Sequence, residues 1–257
     1  MSEHIRLSLD GPIARITVTR AEKLNALDRA MIVALAEAAT AIEASKEVRV
    51  AILSGEGKAF CAGGDIAAWG GLPPLEMWRD WTRIGHRAFE ALARLRVPLI
   101  CALTGHAFGG GLELAAVADI RVAERGIKLG LPETGLAMAP GWSGTQRLVR
   151  RFGAGVVRRM ALSGAMFTAD EALALGLVDE VVEAGAGLAR AAAIAAGIAA
   201  RGPLAVQMVK AMINAAEGED KDAPIEGLAG ALTAMTEDLA EGVAAFRGKR
   251  PAAFVGR

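Results

Sequence analysis

The sequence has only two cysteines, Cys61 and Cys101, among its 257 residues. Both lie in apolar stretches and neither belongs to a CxxC pair, so a disulfide framework or a zinc site is not expected, and a reducing compartment fits. An excess of charge of either sign is also lacking, because 29 basic residues are matched by 29 acidic ones. This balance argues against the basic surface that nucleic acids or anionic membranes require.

Long hydrophobic runs are missing as well, although 53% of the residues are hydrophobic. The most apolar helical segment, 188–200, is short and is interrupted by Arg190, so no segment is predicted to span a bilayer. The first residues lack the apolar core of a signal peptide. We therefore expect a cytoplasmic protein that contacts no membrane and contains one large domain, with or without a smaller appendage.

The hydrophobic pattern divides the chain into two parts. Over residues 1–195 it predicts mixed β/α units, and over residues 196–257 it becomes helical throughout. Near the start, two alternating segments flank Asp10-Gly11-Pro12, which is typical of a β-hairpin. The predicted fold class is therefore α/β with a helical C-terminal region.

Two long helices are predicted in the first half of the chain. Asp28 is suited to N-cap the first of them, whose apolar residues recur at helical spacing. The second is predicted over residues 76–95, where Trp78 and Trp81 fall on one apolar stripe. We expect both tryptophans to pack in the core.

Two glutamates stand alone in otherwise uncharged stretches. Glu113 is the one formal charge within residues 99–118, and Glu133 is the one within residues 129–146. The helix around Glu113 is apolar on every face and should be buried, which raises the pKa of an unpartnered carboxyl. Such acids suit proton transfer, and addition of water to a double bond needs one donor and one acceptor. A structural pairing of Glu113, or a helix start at Glu133, would also account for them.

Two glycine-rich turns each follow a predicted strand and precede a helix. One contains Gly63 and Gly64, and the other contains Gly109, Gly110 and Gly111. Helix N-termini present unpaired N–H groups and glycine allows a close backbone approach, so two such donors can stabilise an oxyanion. Tight turning from strand to helix would explain the glycines equally well. The chain fits neither the GxGxxG nor the Walker pattern, which disfavours nucleotide binding and a dehydrogenase.

Several motifs stand in a characteristic order along the chain. They are KLNAL at 23–27, AFCAGGD at 59–65, GHAFGGGLEL at 105–114, LPE at 131–133, PGWSGTQRL at 140–148, residues 172–180, and EGVAAFRGKRP at 241–251. Together they resemble the crotonase (enoyl-CoA hydratase/isomerase) family over essentially the whole length. The resemblance implies a spiral of β-β-α units over residues 1–195 that holds the active site. It also implies a helical region at 196–257 that forms homotrimers, usually paired into hexamers.

The resemblance also implies roles for individual residues. The N–H groups of Gly64 and Gly110 are expected to form an oxyanion hole for a thioester carbonyl. Glu113 is expected to help activate the water that attacks the β-carbon, and Glu133 is expected to serve proton transfer at the α-carbon.

Further residues are implied to contact the acyl-CoA substrate. These positions are Ala62, Gly64, Asp65, Ile66, Gly110, Trp142, Phe246 and Lys249. Phe246 and Lys249 match tail positions that reach a CoA bound to a neighbouring subunit. Trp142 stands where many hydratases have a small residue, so we expect it to reshape the acyl pocket. No metal and no separate cofactor is expected, since coenzyme A enters as part of the substrate.

The predicted activity is hydration of a 2-enoyl-CoA thioester through a stabilised enolate. Isomerisation, or another acyl-CoA enolate reaction, is the alternative within the family. Having both glutamates favours the hydratase, because many isomerases of this fold keep only the one that matches Glu133. A non-catalytic acyl-CoA-binding protein is the alternative from another class, and isolated buried acids argue against such an inert scaffold.

Overall fold

The computed structural model describes residues 2–257 and shows an α/β chain whose strands form two sheets. The strands are β1 (Ile5–Asp10), β2 (Ile13–Val18), β3 (Val50–Gly55), β4 (Ala59–Cys61), β5 (Leu99–Leu103), β6 (His106–Phe108), β7 (Ile120–Glu124), β8 (Lys128–Gly130), β9 (Met166–Thr168) and β10 (Glu180–Val182). The larger sheet has the order β1-β2-β3-β5-β7-β10 and the smaller one β4-β6-β8-β9. Neighbouring strands are parallel except in the pairs β1–β2 and β8–β9.

Helices connect the strands and continue after the last of them. They are α1 (Arg29–Ala44), α2 (Ile66–Trp69), α3 (Pro74–Glu76), α4 (Thr82–Ala93), α5 (Gly110–Ala115), α6 (Gly144–Phe152), α7 (Ala154–Ser163), α8 (Ala169–Ala174), α9 (Gly187–Ala199), α10 (Pro203–Glu217), α11 (Ala223–Ala234) and α12 (Glu237–Arg247). Short 3₁₀ turns lie at Ala21–Lys23 and Glu133–Leu136, and a π-helical turn spans Met77–Trp81.

Consecutive strands are divided between the two sheets. Strands β3, β5 and β7 belong to the larger sheet, and each leads directly into β4, β6 or β8 of the smaller one. A helical segment follows each of these strand pairs. This repeat is the predicted spiral of β-β-α units, so the predicted fold class is confirmed.

The central strands β3 and β5 are apolar because both faces of the larger sheet are covered. Val50, Ile52 and Ile100 point to one face, where they belong to a cluster that includes alanines of α9. Leu53 and Cys101 alternate to the other face and join the main core. The alternating burial therefore fixes which side of each strand faces which layer.

The two N-terminal predictions are confirmed. The first two strands pair as an antiparallel hairpin, with Ile5 opposite Val18. The Asp28 side chain accepts a hydrogen bond of 2.9 Å from the backbone N–H of Met31 and so caps α1.

The prediction of one continuous helix over residues 76–95 is wrong in its details. The segment begins with α3, widens into the π-helical turn, and continues as α4. Trp81 is buried with 8% of its surface exposed, but Trp78 is 63% exposed and does not pack in the core. A wider turn changes the angle between successive residues, so a stripe drawn at 3.6 residues per turn misplaces Trp78.

The chain divides into two compact units, the second of which spans Ala211–Arg257. Within this second unit, Arg250 forms an ion pair with Glu241. The Asp238 carboxylate accepts hydrogen bonds from backbone N–H groups near the C-terminus, at Val255 and Gly256. These contacts hold the last residues against α12.

The sequence-based division into 1–195 and 196–257, with oligomerisation assigned to the second part, stays a prediction. Among the helices within residues 2–257, none taken singly has both the length and the apolar character needed to cross a membrane. The bent pair α9–α10 meets that test only when its two helices are counted together.

Candidate active site

A cavity of about 370 Å³ lies where the parallel strands of the smaller sheet end. Its lining includes Gly64 after β4, Gly110 after β6 and Glu133 after β8. The carboxyl ends of parallel strands meet at one edge, so three segments that are far apart in sequence converge there. Glu113, one turn into α5, lines the same cavity.

The two glycine-rich turns lie directly against each other. A Cβ built on Gly63, whose φ is +102°, would lie 3.1 Å from the carbonyl oxygen of Phe108 and 3.2 Å from the nitrogen of Gly110. Within residues 2–257, the N–H groups of Gly64 and Gly110 donate no backbone hydrogen bond. Both glycines line the cavity, so each of these N–H groups is available to a bound acceptor there.

Glu113 is buried, with 2% of its surface exposed, as its apolar helix predicts. Its Oε1 accepts hydrogen bonds from the backbone N–H groups of Trp142 at 2.8 Å and Gly144 at 2.6 Å. A Cβ built on Gly144 would lie 2.5 Å from that oxygen, so only glycine leaves room for the carboxylate. Removal from water raises the pKa of Glu113 to about 7, although the backbone donors lower it.

Glu133 begins the 3₁₀ turn after β8, and its carboxyl group accepts fewer hydrogen bonds than that of Glu113. Both of its carboxyl oxygens are shielded and have no hydrogen-bond partner within residues 2–257. A Cβ built on Gly109 would lie 2.9 Å from Oε1 of Glu133, which places this carboxyl beside the second glycine turn. Burial raises its pKa, and its charge in turn raises the pKa of Glu113. The structure therefore brings both predicted glutamates to one cavity.

The raised pKa of Glu113 predicts a pH-dependent cost in stability. The folded protein holds this proton up to about pH 7, whereas an unfolded chain releases it near 4.5, so folding is progressively penalised as pH rises between these values. A shift of this size corresponds to about 3 kcal/mol. We expect Glu113→Gln to raise the free energy of unfolding above that of the wild type at pH 8, by up to that amount.

Chemical denaturation of both proteins at pH 5 and pH 8 measures this difference. The gain should be largest at pH 8 and should shrink towards pH 5, and the exposed control Glu47→Gln should show no such trend. A difference that is the same at both pH values would contradict the raised pKa.

Three of the other predicted contact residues of the first unit line the cavity, namely Ala62, Ile66 and Trp142. Asp65 directs its carboxylate elsewhere, accepting a hydrogen bond from the Ala67 N–H at 3.0 Å, at the start of α2. It also pairs with the guanidinium group of Arg20 at 2.9 Å, so its side chain anchors the first glycine turn.

Phe246 and Lys249 belong to the second compact unit. Phe246 is 85% exposed on α12, and Lys249 is exposed just beyond it with a φ of +49°. Their contact with a CoA bound to a neighbouring subunit stays a prediction.

Several residues that the sequence did not single out for this site also line the cavity. They are Trp69, Met77, Trp81, Thr82, His86, Leu136, Met138 and Ser143, together with smaller residues of the same segments. Nδ1 of His86 lies 2.8 Å from the hydroxyl of Ser143, and burial lowers the pKa of His86. This bond joins α4 to the segment that donates to Glu113. The sequence offered one indication that such residues line the cavity, which is the short distance along the chain between the first glycine turn and the Trp69–Trp81 region.

Metal-ligating residues do not cluster in the part of the chain that the structure describes. Within residues 2–257, no group of three or more His, Cys, Asp or Glu side chains is placed to hold an ion. The polar groups of the cavity thus include two carboxyl groups with raised pKa values, two free backbone donors and a His–Ser pair. This set can stabilise an oxyanion and exchange protons beside it.

Comparison with known proteins gives the class to which this fold and site belong. Residues 9–257 match the family model described as enoyl-CoA hydratase/isomerase. The chain is 36% identical to a crotonyl-CoA hydratase of Syntrophomonas wolfei over 99% of both proteins. It is also 36% identical to a short-chain-enoyl-CoA hydratase of Clostridium acetobutylicum, over 96% of this chain and 95% of the relative.

Solved structures agree with the sequence relatives. An enoyl-CoA hydratase of Bacillus anthracis superposes with a TM-score of 0.82 and 34% identity, covering 99% of this chain and 100% of that one. The chain therefore belongs to the enoyl-CoA hydratase/isomerase family, and the predicted family is confirmed.

Proposed function

We propose that this chain is an enoyl-CoA hydratase that adds water across the double bond of a 2-enoyl-CoA thioester. The observation that carries the proposal is the convergence of two shielded carboxyl groups, Glu113 and Glu133, on one cavity with the free N–H groups of Gly64 and Gly110. Relatives named crotonyl-CoA hydratase and short-chain-enoyl-CoA hydratase align with it over at least 95% of their lengths and support the same reaction.

The proposed reaction begins with the thioester carbonyl oxygen accepting hydrogen bonds from Gly64 and Gly110. Water held at Glu113 attacks the β-carbon, and its proton passes to the ionised Glu113 carboxylate as the new C–O bond forms. The π electrons of the double bond move onto the carbonyl oxygen as an enolate. The enolate then collapses and takes a proton from protonated Glu133 at the α-carbon, so that one H and one OH have been added. Proton exchange with solvent returns Glu113 to the ionised form and Glu133 to the protonated form.

The contribution of each group to the rate of such a reaction has a known order of magnitude. One preorganised donor to an oxyanion contributes roughly 2.7–4 kcal/mol. A positioned acid or base contributes roughly 10²–10⁴ in rate. The raised pKa values of both glutamates favour a state in which the pair retains a proton near neutral pH, as a donor and an acceptor in one site require.

The test is a spectrophotometric assay with purified protein and a panel of 2-enoyl-CoA thioesters. Hydration removes the conjugation between the double bond and the carbonyl, so the ultraviolet absorbance of the enoyl thioester falls. The product should be the 3-hydroxyacyl-CoA, identified by mass. No absorbance loss with any short, medium or branched acyl chain would end the proposal, and a shift of the double bond without added water would establish an isomerase.

The proposed assembly is a homo-oligomer, either a trimer or a dimer of trimers. Its support is the row of exposed apolar side chains on the second unit, which includes Leu228, Leu232, Met235 and Val243. We expect light scattering to give three or six times the chain mass of 26.5 kDa. A monomeric mass at micromolar concentration would contradict this assembly.

Cytoplasmic localisation and the absence of a separate cofactor stay predictions from the sequence. The first is tested by fractionating cells that express the protein. The second is tested by dialysing the enzyme against a chelator and assaying it again, which should leave hydration unchanged.

A further inference from the structure

The Trp142 indole occupies a slot bounded by three glycines from different parts of the chain. A Cβ built on Gly85 of α4 would lie 2.0 Å from its Nε1, and one built on Gly110 would lie 2.7 Å from its Cζ3. One built on Gly64 would lie 3.3 Å from its Cη2. The ring therefore fits only because position 85 lacks a side chain, and it lies against both glycines that offer the free N–H groups.

Large aromatic neighbours hold the indole in this slot. Its ring centroid lies 5.3 Å from that of Trp81 and 5.3 Å from that of Phe89. Its Nε1 donates a hydrogen bond of 3.4 Å to the carbonyl oxygen of Trp81, and only 3% of the residue is exposed. A side chain packed in this way on several sides moves only at the cost of its neighbours' packing.

The position of the ring limits the space beyond the reacting double bond. The carbonyl oxygen of the substrate is placed at Gly64 and Gly110, and the double bond is placed beside Glu113, whose carboxylate is bound by the Trp142 backbone. The indole borders the two glycines, and its own backbone borders the glutamate. Trp142 and Trp81 line the cavity and pack together as an aromatic wall. With the thioester placed in this way, acyl carbons that extend past the β-carbon towards this wall would meet it.

We infer that Trp142, seated in the gap left by Gly85, is a specificity-determining residue that closes the acyl pocket and restricts the enzyme to short acyl chains of about four carbons. The inference rests on the proposed hydratase function and adds the substrate class to it. A single surplus methylene in an apolar pocket costs roughly 10–200-fold in kcat/KM, so several of them against a fixed ring exclude a longer chain.

The experiment compares trans-2-butenoyl-CoA with trans-2-octenoyl-CoA in the wild type, Trp142→Ala and the control Trp78→Ala. We expect the wild type to favour the four-carbon substrate by at least about 100-fold in kcat/KM. Trp142→Ala should bring that ratio to within about tenfold by raising the rate on the eight-carbon substrate. Trp78 is 63% exposed and does not line the cavity, so Trp78→Ala should keep the wild-type ratio.

Trp142→Phe provides a second variant if the alanine variant does not fold, because a phenyl ring retains part of the packing against Trp81 and Phe89. It should accept the six-carbon substrate better than the wild type does. Equal wild-type rates on four and eight carbons, or an unchanged ratio in folded variants, would overturn the inference while leaving the hydratase intact. No hydration of any substrate by the wild type would instead remove the proposed function, and the inference with it.

Discussion

Glu113→Gln should lower kcat/KM for hydration of a 2-enoyl-CoA by roughly 10²–10⁴-fold, because the variant loses a positioned proton acceptor. Glutamine keeps the size of the side chain and an oxygen that can accept the hydrogen bonds now donated by Trp142 and Gly144 at 2.8 and 2.6 Å. The geometry of the site should therefore survive while its acid–base chemistry does not.

The measurement is the initial rate of absorbance loss, with thermal unfolding recorded on the same samples. The variant should be at least as stable as the wild type at pH 8, because the penalty of a buried charge has been removed. Low activity in a protein of normal or higher stability is the combination that a chemical role requires. Activity within threefold of the wild type would show that Glu113 is a structural acid. Glu47→Gln, on the exposed surface, should retain full activity.

Glu133→Gln should lower kcat and kcat/KM together, by roughly 10²–10⁴-fold, with little change in KM. Within residues 2–257, neither carboxyl oxygen of Glu133 has a hydrogen-bond partner, so the substitution removes no side-chain hydrogen bond of the folded chain. The loss should appear only when charge and protons move, since the carboxyl contributes little to binding the substrate before reaction.

Steady-state kinetics of Glu133→Gln and the wild type distinguish a role in proton transfer from a role in substrate binding. A rise in KM at constant kcat would assign Glu133 to substrate binding rather than to proton transfer. Full activity of Glu133→Gln together with inactivity of Glu113→Gln would point to a reaction that uses a single acid. The double variant should be hardly worse than either single one if the two carboxyls act as a unit.

Much of this site is predictable from local sequence, because a solitary charge in a long apolar stretch has few physical explanations. Glu113 was expected to be buried on this basis, and it is. The glycine turns were expected to expose backbone donors, and the N–H groups of Gly64 and Gly110 are unused within the described chain. Their catalytic roles stay predictions that the variants above test.

What the sequence did not reveal depends on contacts between distant segments. The slot for Trp142 needs Gly85, which lies 57 positions earlier on α4, and nothing in the local pattern relates the two. The bond between His86 and Ser143 has the same separation. The predicted burial of Trp78 was wrong because a π-helical turn interrupts the regular helical period. The hydrophobic pattern of the sequence does not show where the period changes.

The division of consecutive strands between two sheets has a consequence for how such an enzyme diversifies. The segments that follow β4, β6 and β8 supply the cavity, whereas β3, β5 and β7 build the larger sheet. Each segment that lines the cavity is thus separate in sequence from the strands that form the larger sheet. Substitutions in these segments can therefore change which thioester the cavity accepts while the strand pairing of the larger sheet stays the same.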